Sequence, residues 1–189
     1  MACILKHIKN TASNCSESFS GVGTKAYVAF IEDLKTPGVW SDEMNGFTSD
    51  SFTFKEGKGF YEIDIKKKSG KVTSESNPQG GGFNNVLTFV VNNNMNEMSY
   101  ILRTINNVDT MWLISDGTDG YYAMYDPQFA PEVTSSGDTG DTPDSDRGFT
   151  ITVTASPARY PLARWVGVPE IAPDGKETAP DGKEPVEGE

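Results

Sequence analysis

The chain has 189 residues, 36% hydrophobic and 23% charged, which suits one ordinary domain with its own core, although length alone leaves room for two very small ones. Nineteen Gly and 11 Pro set a turn density that favours strands over long helices. A formal net charge of −11 argues against broad attraction to phosphate backbones or anionic lipid, and hence against a general nucleic-acid binder; solubility is its plainest account.

Residues 1–23 read as an N-terminal arm. Lys6, His7 and Lys9 interrupt its apolar run at once, so no secretory signal is expected. No stretch approaches the roughly 20 apolar residues of a membrane-crossing helix, so the expectation is a cytoplasmic product without a membrane partner. Cys3 and Cys15 are too few for a disulfide scaffold and are expected to stay thiols in a reducing compartment. With His7 they match no zinc spacing and lack a fourth ligand, so no metal is expected there.

Thr24 to Ile31, apolar and aromatic after a Gly-Val-Gly entry, predicts a mostly buried first strand and opens a core domain over residues 24–156. Leu34 to Ser51 reads as a long loop with Trp40, Met44 and Phe47 as hydrophobic anchors. Such anchors either fold back on the chain's own core or meet another subunit, since exposed aromatics are costly unless covered. A short strand is expected at Ser51 to Lys55. From Gly59 to Lys66, Tyr61, Ile63 and Ile65 alternate with Glu62, Asp64 and Lys66, which predicts a strand with one core face and one wet face. Lys66 to Lys68 then form a soluble hairpin end before a polar strand at Lys71 to Ser76.

Asn77 to Phe83 is a glycine loop that lacks both the spacing and the Lys-Ser/Thr of a phosphate cradle, and a strand follows at Asn85 to Asn92. Met95, Met98, Ile101, Leu102 and Ile105 share one face of a helix over residues 95–107, with Asn94 as cap and Glu97 in capping-box position. Its methionines are packing groups rather than cofactor ligands. Thr110 to Ser115 and Tyr121 to Tyr125 read as a hairpin joined through Asp116-Gly117 and Asp119-Gly120, whose acids suit turn chemistry and not an EF-hand. Asp126 to Arg147 reads as a solvated, Asp-rich insertion carrying Asp138, Asp141, Asp144 and Asp146. Gly148 to Ala155 alternates Phe149, Ile151 and Val153 with Thr150, Thr152 and Thr154, the clearest strand signal in the chain.

Beyond it, residues 157–169 place Tyr160, Leu162 and Trp165 among three prolines, an extended segment that docks on this domain or on a neighbour. Residues 170–189 repeat Ala172-Pro-Asp-Gly-Lys-Glu177 at Ala179 to Glu184 without apolar periodicity, which predicts an acidic disordered tail with room for a recruiting role.

Histidine-based catalysis finds no support, because the single histidine lies in a polar arm without a nucleophile motif. Glu62 and Asp64 share a strand face as paired carboxylates do in glycosidases, but so do acids on any wet strand; no enzyme activity and no cofactor are expected. A sugar-binding module with Trp40, Trp112 or the Tyr121-Tyr122 pair as platform is the competing interpretation.

The order of elements, with the Asn94 to Asn107 helix leading into Met111-Trp-Leu-Ile-Ser-Asp-Gly117 and then Arg147-Gly-Phe-Thr-Ile-Thr-Val-Thr154, resembles bacteriophage tail tube proteins, the major tail proteins of virions. The long Asp-rich loop and the repeated C-terminal extension depart from that pattern and leave room for a head-tail connector or a capsid decoration subunit. The resemblance implies a mainly β fold, an antiparallel β-sandwich or barrel-like sheets with one flanking α-helix. It further implies self-assembly into stacked hexameric rings in the virion tail, contacts with other tail proteins, and passage of double-stranded DNA without specific binding. On that basis Glu62 and Asp64 become candidates for an acidic lumen, Trp40 and Phe47 for contacts between rings, and either the N-terminal arm or the segment with Tyr160 and Trp165 for bridges between subunits.

Overall fold

The computed structural model describes residues 22–77, 81–91, 95–106, 108–138 and 148–173. The fold is mainly β, as the alternating patterns predict, with one α-helix among the described residues. In chain order come β1 (Lys25–Phe30), a turn of 3-10 helix at Ile31–Asp33, then β2 (Leu34–Thr36), β3 (Trp40–Ser41), β4 (Gly46–Phe47) and β5 (Thr53–Phe54). Next are β6 (Tyr61–Asp64), β7 (Lys71–Ser76), β8 (Phe83–Val91) and α1 (Met95–Ile105). The last five strands are β9 (Thr110–Ser115), β10 (Tyr121–Met124), β11 (Glu132–Asp138), β12 (Gly148–Ala158) and β13 (Arg164–Trp165).

Seven strands form one sheet in the order β3-β4-β13-β10-β9-β1-β6, and four form a second, β11-β12-β8-β7; β2 and β5 make a small ribbon. The two main sheets share a core. Ala26, Val28, Trp112 and Ile114 from the larger sheet face Leu87, Phe89, Ile151 and Val153 from the smaller, and Ile105 of α1 closes one end. Period-two alternation in β8 and β12 directs those side chains inward and leaves Val86, Thr88, Thr150, Thr152 and Thr154 half-buried on the outer face.

The opposite face of the seven-stranded sheet is also covered. Tyr27, Ala29, Met111 and Leu113 pack beneath Phe47, Phe52, Phe54 and Phe60 from the 34–60 excursion and beneath Ala163 and Trp165 from the C-terminal segment. Burial on both faces explains why Thr110–Ser115 reads as a nearly continuous apolar run rather than an alternation. Trp112 is fully buried, and its indole N–H donates to Thr110 Oγ1 at 3.1 Å, so no donor is stranded.

Several expectations are corrected here. The 34–51 stretch is not one loop but carries three short strands, two of which, β3 and β4, sit at the edge of the main sheet. Lys66 to Gly70 is not a hairpin end, because β6 and β7 belong to different sheets and the turn crosses between them. The Asp126 to Arg147 insertion contains β11, paired with β12 from Glu132↔Thr154 to Asp138↔Gly148. Tyr61, assigned to the core face of its strand, is 44% exposed and rests edge-to-face on Phe30. The 148–155 strand runs to Ala158 and is not the last, since β13 follows.

The β9–β10 hairpin is closed by Asp116. Its Oδ1 accepts from Thr118 N–H at 2.8 Å, Thr118 Oγ1–H at 2.6 Å and Gly120 N–H at 3.3 Å, while Arg164 Nε donates to Oδ2 at 2.8 Å. Burial pushes this carboxyl up, but the Thr118 hydrogen bonds, the Arg164 charge and the Gly120 N–H outweigh it and hold the group below its usual value. The turn role expected for Asp116 is therefore also the anchor of β13.

The arm up to Gly21, with Cys3, His7 and Cys15, lies outside the described residues, as do Asn94, the Asp141, Asp144 and Asp146 stretch, and the tail from Asp174. The side chains of Met95, Glu97 and Met98 are likewise not described.

Candidate assembly surfaces

Residues 157–173 form a strap across the second core. β13 pairs in parallel with β4, Arg164↔Gly46 and Trp165↔Phe47, and antiparallel with β10. Ala123 N–H donates to Ala163 O at 2.8 Å, Asn85 Nδ2 to Tyr160 O at 2.8 Å, and Trp165 Nε1 to Thr48 O at 3.1 Å. The strap then reaches β6, where Phe60 N–H donates to Glu170 O at 2.7 Å and Ala172 N–H to Phe60 O at 2.9 Å. The docked segment thus extends to Ala172, beyond Pro169, and it docks on its own chain.

Three glycines permit this approach. A Cβ at Gly46 would lie 1.9 Å from Arg164 O, one at Gly59 2.5 Å from Ala172 N, and one at Gly167 2.3 Å from the Trp165 ring. Only hydrogen fits where two backbones, or a backbone and an indole, come so close.

The strap also decides the fate of the proposed contact residues. Phe47 and Trp165 are 1% and 3% exposed, interior members of the aromatic core, which corrects the expectation that their side chains meet another subunit. Trp40 and Tyr160 are half-buried and stack on each other with centroids 3.5 Å apart and rings 1° from parallel; Trp40 Nε1 donates to Asp42 Oδ1 at 2.8 Å. Sequence reasoning treated these four aromatics alike, yet the fold divides them into a buried pair and a surface pair. Met44, expected as an anchor, is exposed, and with Val39, Val166 and Val168, unremarked in the sequence, it adds apolar surface from the excursion and strap, Val168 being 91% exposed.

Glu62 and Asp64 lie on β6, the edge strand of the large sheet, with their side chains on one exposed face as expected. Ile65 N–H donates inward to Thr24 O, whereas Phe60 bonds outward to the strap. By the two-residue period of a strand, the main-chain groups of Glu62 and Asp64 share the outward side with Phe60. The acidic face is partly neutralised, because Lys25 Nζ meets Glu62 Oε1 at 2.6 Å across β1 and β6, a partner 37 residues away that no local pattern announces. The hydrogen bond to Glu62 is the main cause holding the Lys25 ammonium above its usual value.

Beneath this pair, burial and then the neighbouring Tyr121 and Glu62 push the Tyr27 phenol from 10.0 up to about 12. A raised phenol favours the fold while neutral, so its contribution is fully present below pH 10.0 and is lost as pH rises through about 12. Urea midpoints measured at about pH 9 and about pH 11 should therefore diverge more in the parent than in Tyr27→Phe; equal differences would remove Tyr27 from that linkage.

Among the described residues no three His, Cys, Asp or Glu side chains group as metal ligands, and no helix is long and apolar enough to cross a membrane. Of the aromatic platforms considered for sugar, Trp112 is fully buried, and Tyr121 and Tyr122, as strand neighbours, point to opposite faces. No protein-family model, curated protein or solved structure matches the chain.

Proposed function

We propose that this chain is a virion structural protein, a tail tube subunit that assembles through its sheets into stacked rings enclosing a channel for DNA. The observation that carries the reading is the edge of β6, where the Glu62 and Asp64 main-chain groups face outward, with no partner strand among the described residues, from a seven-stranded sheet that packs a core on each face. An unpaired edge is a template for a strand from another chain. The apolar surface of Val39, Met44, Val166 and Val168, with the half-buried Trp40–Tyr160 stack, supplies a second contact region suited to a neighbouring ring. DNA would slide past a face that is acidic at Asp64 and paired at Glu62, which offers little to hold a phosphate backbone.

Size-exclusion chromatography with light scattering, followed by negative-stain imaging, tests this. Rings or tubes are the expected result, stacked rings supporting a tube and single rings a connector. A monomer at every concentration and salt level would overturn the assembly reading.

A further inference from the structure

Two turns of opposite charge leave the seven-stranded sheet at its two edge strands, β6 and β3. After β6, Lys66, Lys67, Lys68 and Lys71 gather in a chain of net charge −11, and Lys67, Lys68 and Lys71 are exposed. That turn is fixed in place: Lys66 N–H donates to Val90 O at 2.8 Å, Ser69 Oγ to Lys66 O at 2.7 Å and Val90 N–H to Ser69 Oγ at 3.1 Å. Lys68 is held at a left-handed φ of 64°, a conformation that glycine or asparagine takes more readily. After β3, Asp42, Glu43 and Met44 are exposed, and the half-buried Trp40 donates its indole N–H to Asp42 Oδ1 at 2.8 Å.

Backbone pairing fixes how the two turns are related. Strand partners run in one unbroken row through Ser41, Gly46, Arg164, Tyr122, Ile114, Ala26 and Ile63. Six strand spacings of about 4.8 Å put the ends of that row about 29 Å apart, farther than a lysine and a carboxylate side chain reach together. Every pairing in the row is antiparallel except that of β13 with β4, so β3 runs opposite to β6, and the two turns leave the sheet in opposite directions along the strands. Within one chain these charges cannot meet.

We propose that the lysine turn of one copy seats on the β3–β4 turn of a copy in the neighbouring ring. The lysine stems cover Met44 while their ammonium groups reach Asp42 and Glu43, a division suited to a side chain with an apolar body and a charged tip. Each exposed pair is weak on its own, but repetition at every subunit of a ring makes the pairs act together. Two different patches that point in opposite directions make a head-to-tail contact, which continues from ring to ring instead of closing as a two-fold dimer does. The contact leaves the outward edge of β6 uncovered for its partner strand. It rests on the tube reading and supplies the occupant of the second contact region, around Val39, Trp40 and Met44.

Charge reversal in the full chain tests the contact. Lys67→Glu with Lys68→Glu makes the tip of the lysine turn acidic, and Asp42→Lys with Glu43→Lys makes the other turn basic, so each variant sets like charges against each other. All four positions are exposed, and circular dichroism checks that the fold persists. In sedimentation and negative-stain imaging, each variant alone should give single rings where the parent gives tubes, with the concentration at which tubes appear raised at least about tenfold. An equimolar mixture of the two variants should recover tubes, because rings of one then meet opposite charge on rings of the other. About 1 M salt, where the screening length is ~3 Å, should disperse parental tubes into rings. Variants that stack at the parental concentration, or a mixture that stays as single rings, would overturn this contact and leave parental tubes, and with them the tube reading, intact. A parent that never forms rings would overturn the tube reading itself, so the two failures are distinct.

Discussion

Trp165→Ala is expected to lower the free energy of unfolding by about 3–5 kcal/mol, the range for truncating a buried tryptophan. The indole is 3% exposed and lies against the rings of Phe52, Phe60 and Tyr121 at centroid distances of 5.6, 6.5 and 5.7 Å. Its loss opens a cavity in the second core and strands the Thr48 carbonyl that accepts its N–H. Trp40→Ala is the informative control. That ring is half-buried and its main contact is the stack on Tyr160, for which about 0.5–1.5 kcal/mol beyond area burial is the usual scale. Urea denaturation of both variants should separate them clearly, and equal losses would mean that Trp165 is not the interior residue described above. The comparison also bears on assembly. A change in oligomer size for Trp40→Ala with near-parental stability would support the surface role of the stack, whereas Trp165→Ala is expected to act through folding.

Gly46→Ala should cost about 3 kcal/mol, at the upper end of overpacking penalties, although it adds a single methyl group. The new Cβ would sit 1.9 Å from the Arg164 carbonyl oxygen and 2.8 Å from its carbon. Both obstacles are backbone, so no rotamer change relieves them, and β4 and β13 must separate. Gly57→Ala supplies the contrast. Nothing lies within 4 Å of its Cβ, and only the φ of +72° opposes it, a strain of about 1–2 kcal/mol. Amide exchange in the strap residues should rise in Gly46→Ala and stay at the parental level in Gly57→Ala. Unchanged exchange around Ala163 in the first variant would contradict the parallel pairing of β4 with β13.

Much of the large-scale pattern was legible because alternation is a local property. Ile63 and Ile65, or Ile151 and Val153, face inward for the same reason that their neighbours do not, and the sequence alone carries that period. The helix was legible through Ile101, Leu102 and Ile105 at spacings of three and four. β11 escaped because Glu132–Asp138 is polar almost throughout and serves as an outer strand, where one face and one edge meet solvent and composition resembles a loop. β3, β4 and β13 escaped because two-residue strands are defined by their partners and leave no period to read.

The candidate contact residues were harder still. Trp165 among prolines has the same local sequence whether it docks at home or on a neighbour, and only the glycines at 46, 59 and 167, far apart in the chain, reveal the seat prepared for it. Phe47 carried an aromatic signal with no indication of side. For Glu62, its place on a wet face was readable from the alternation with Ile63, whereas its neutralisation by Lys25 required knowing that β1 pairs with β6.

The position of β13 in the middle of its sheet sets a schedule for synthesis. β10 leaves the ribosome about 40 residues ahead of β13, a delay of roughly 2–8 s at ordinary elongation rates. Throughout that interval β4 has no route to β10, and the Phe47, Phe52 and Phe60 surface awaits its cover. The nascent chain therefore cannot join β4 to the rest of its sheet before β13 has emerged. The vulnerable stage is that interval, in which chaperones would find the uncovered aromatic surface.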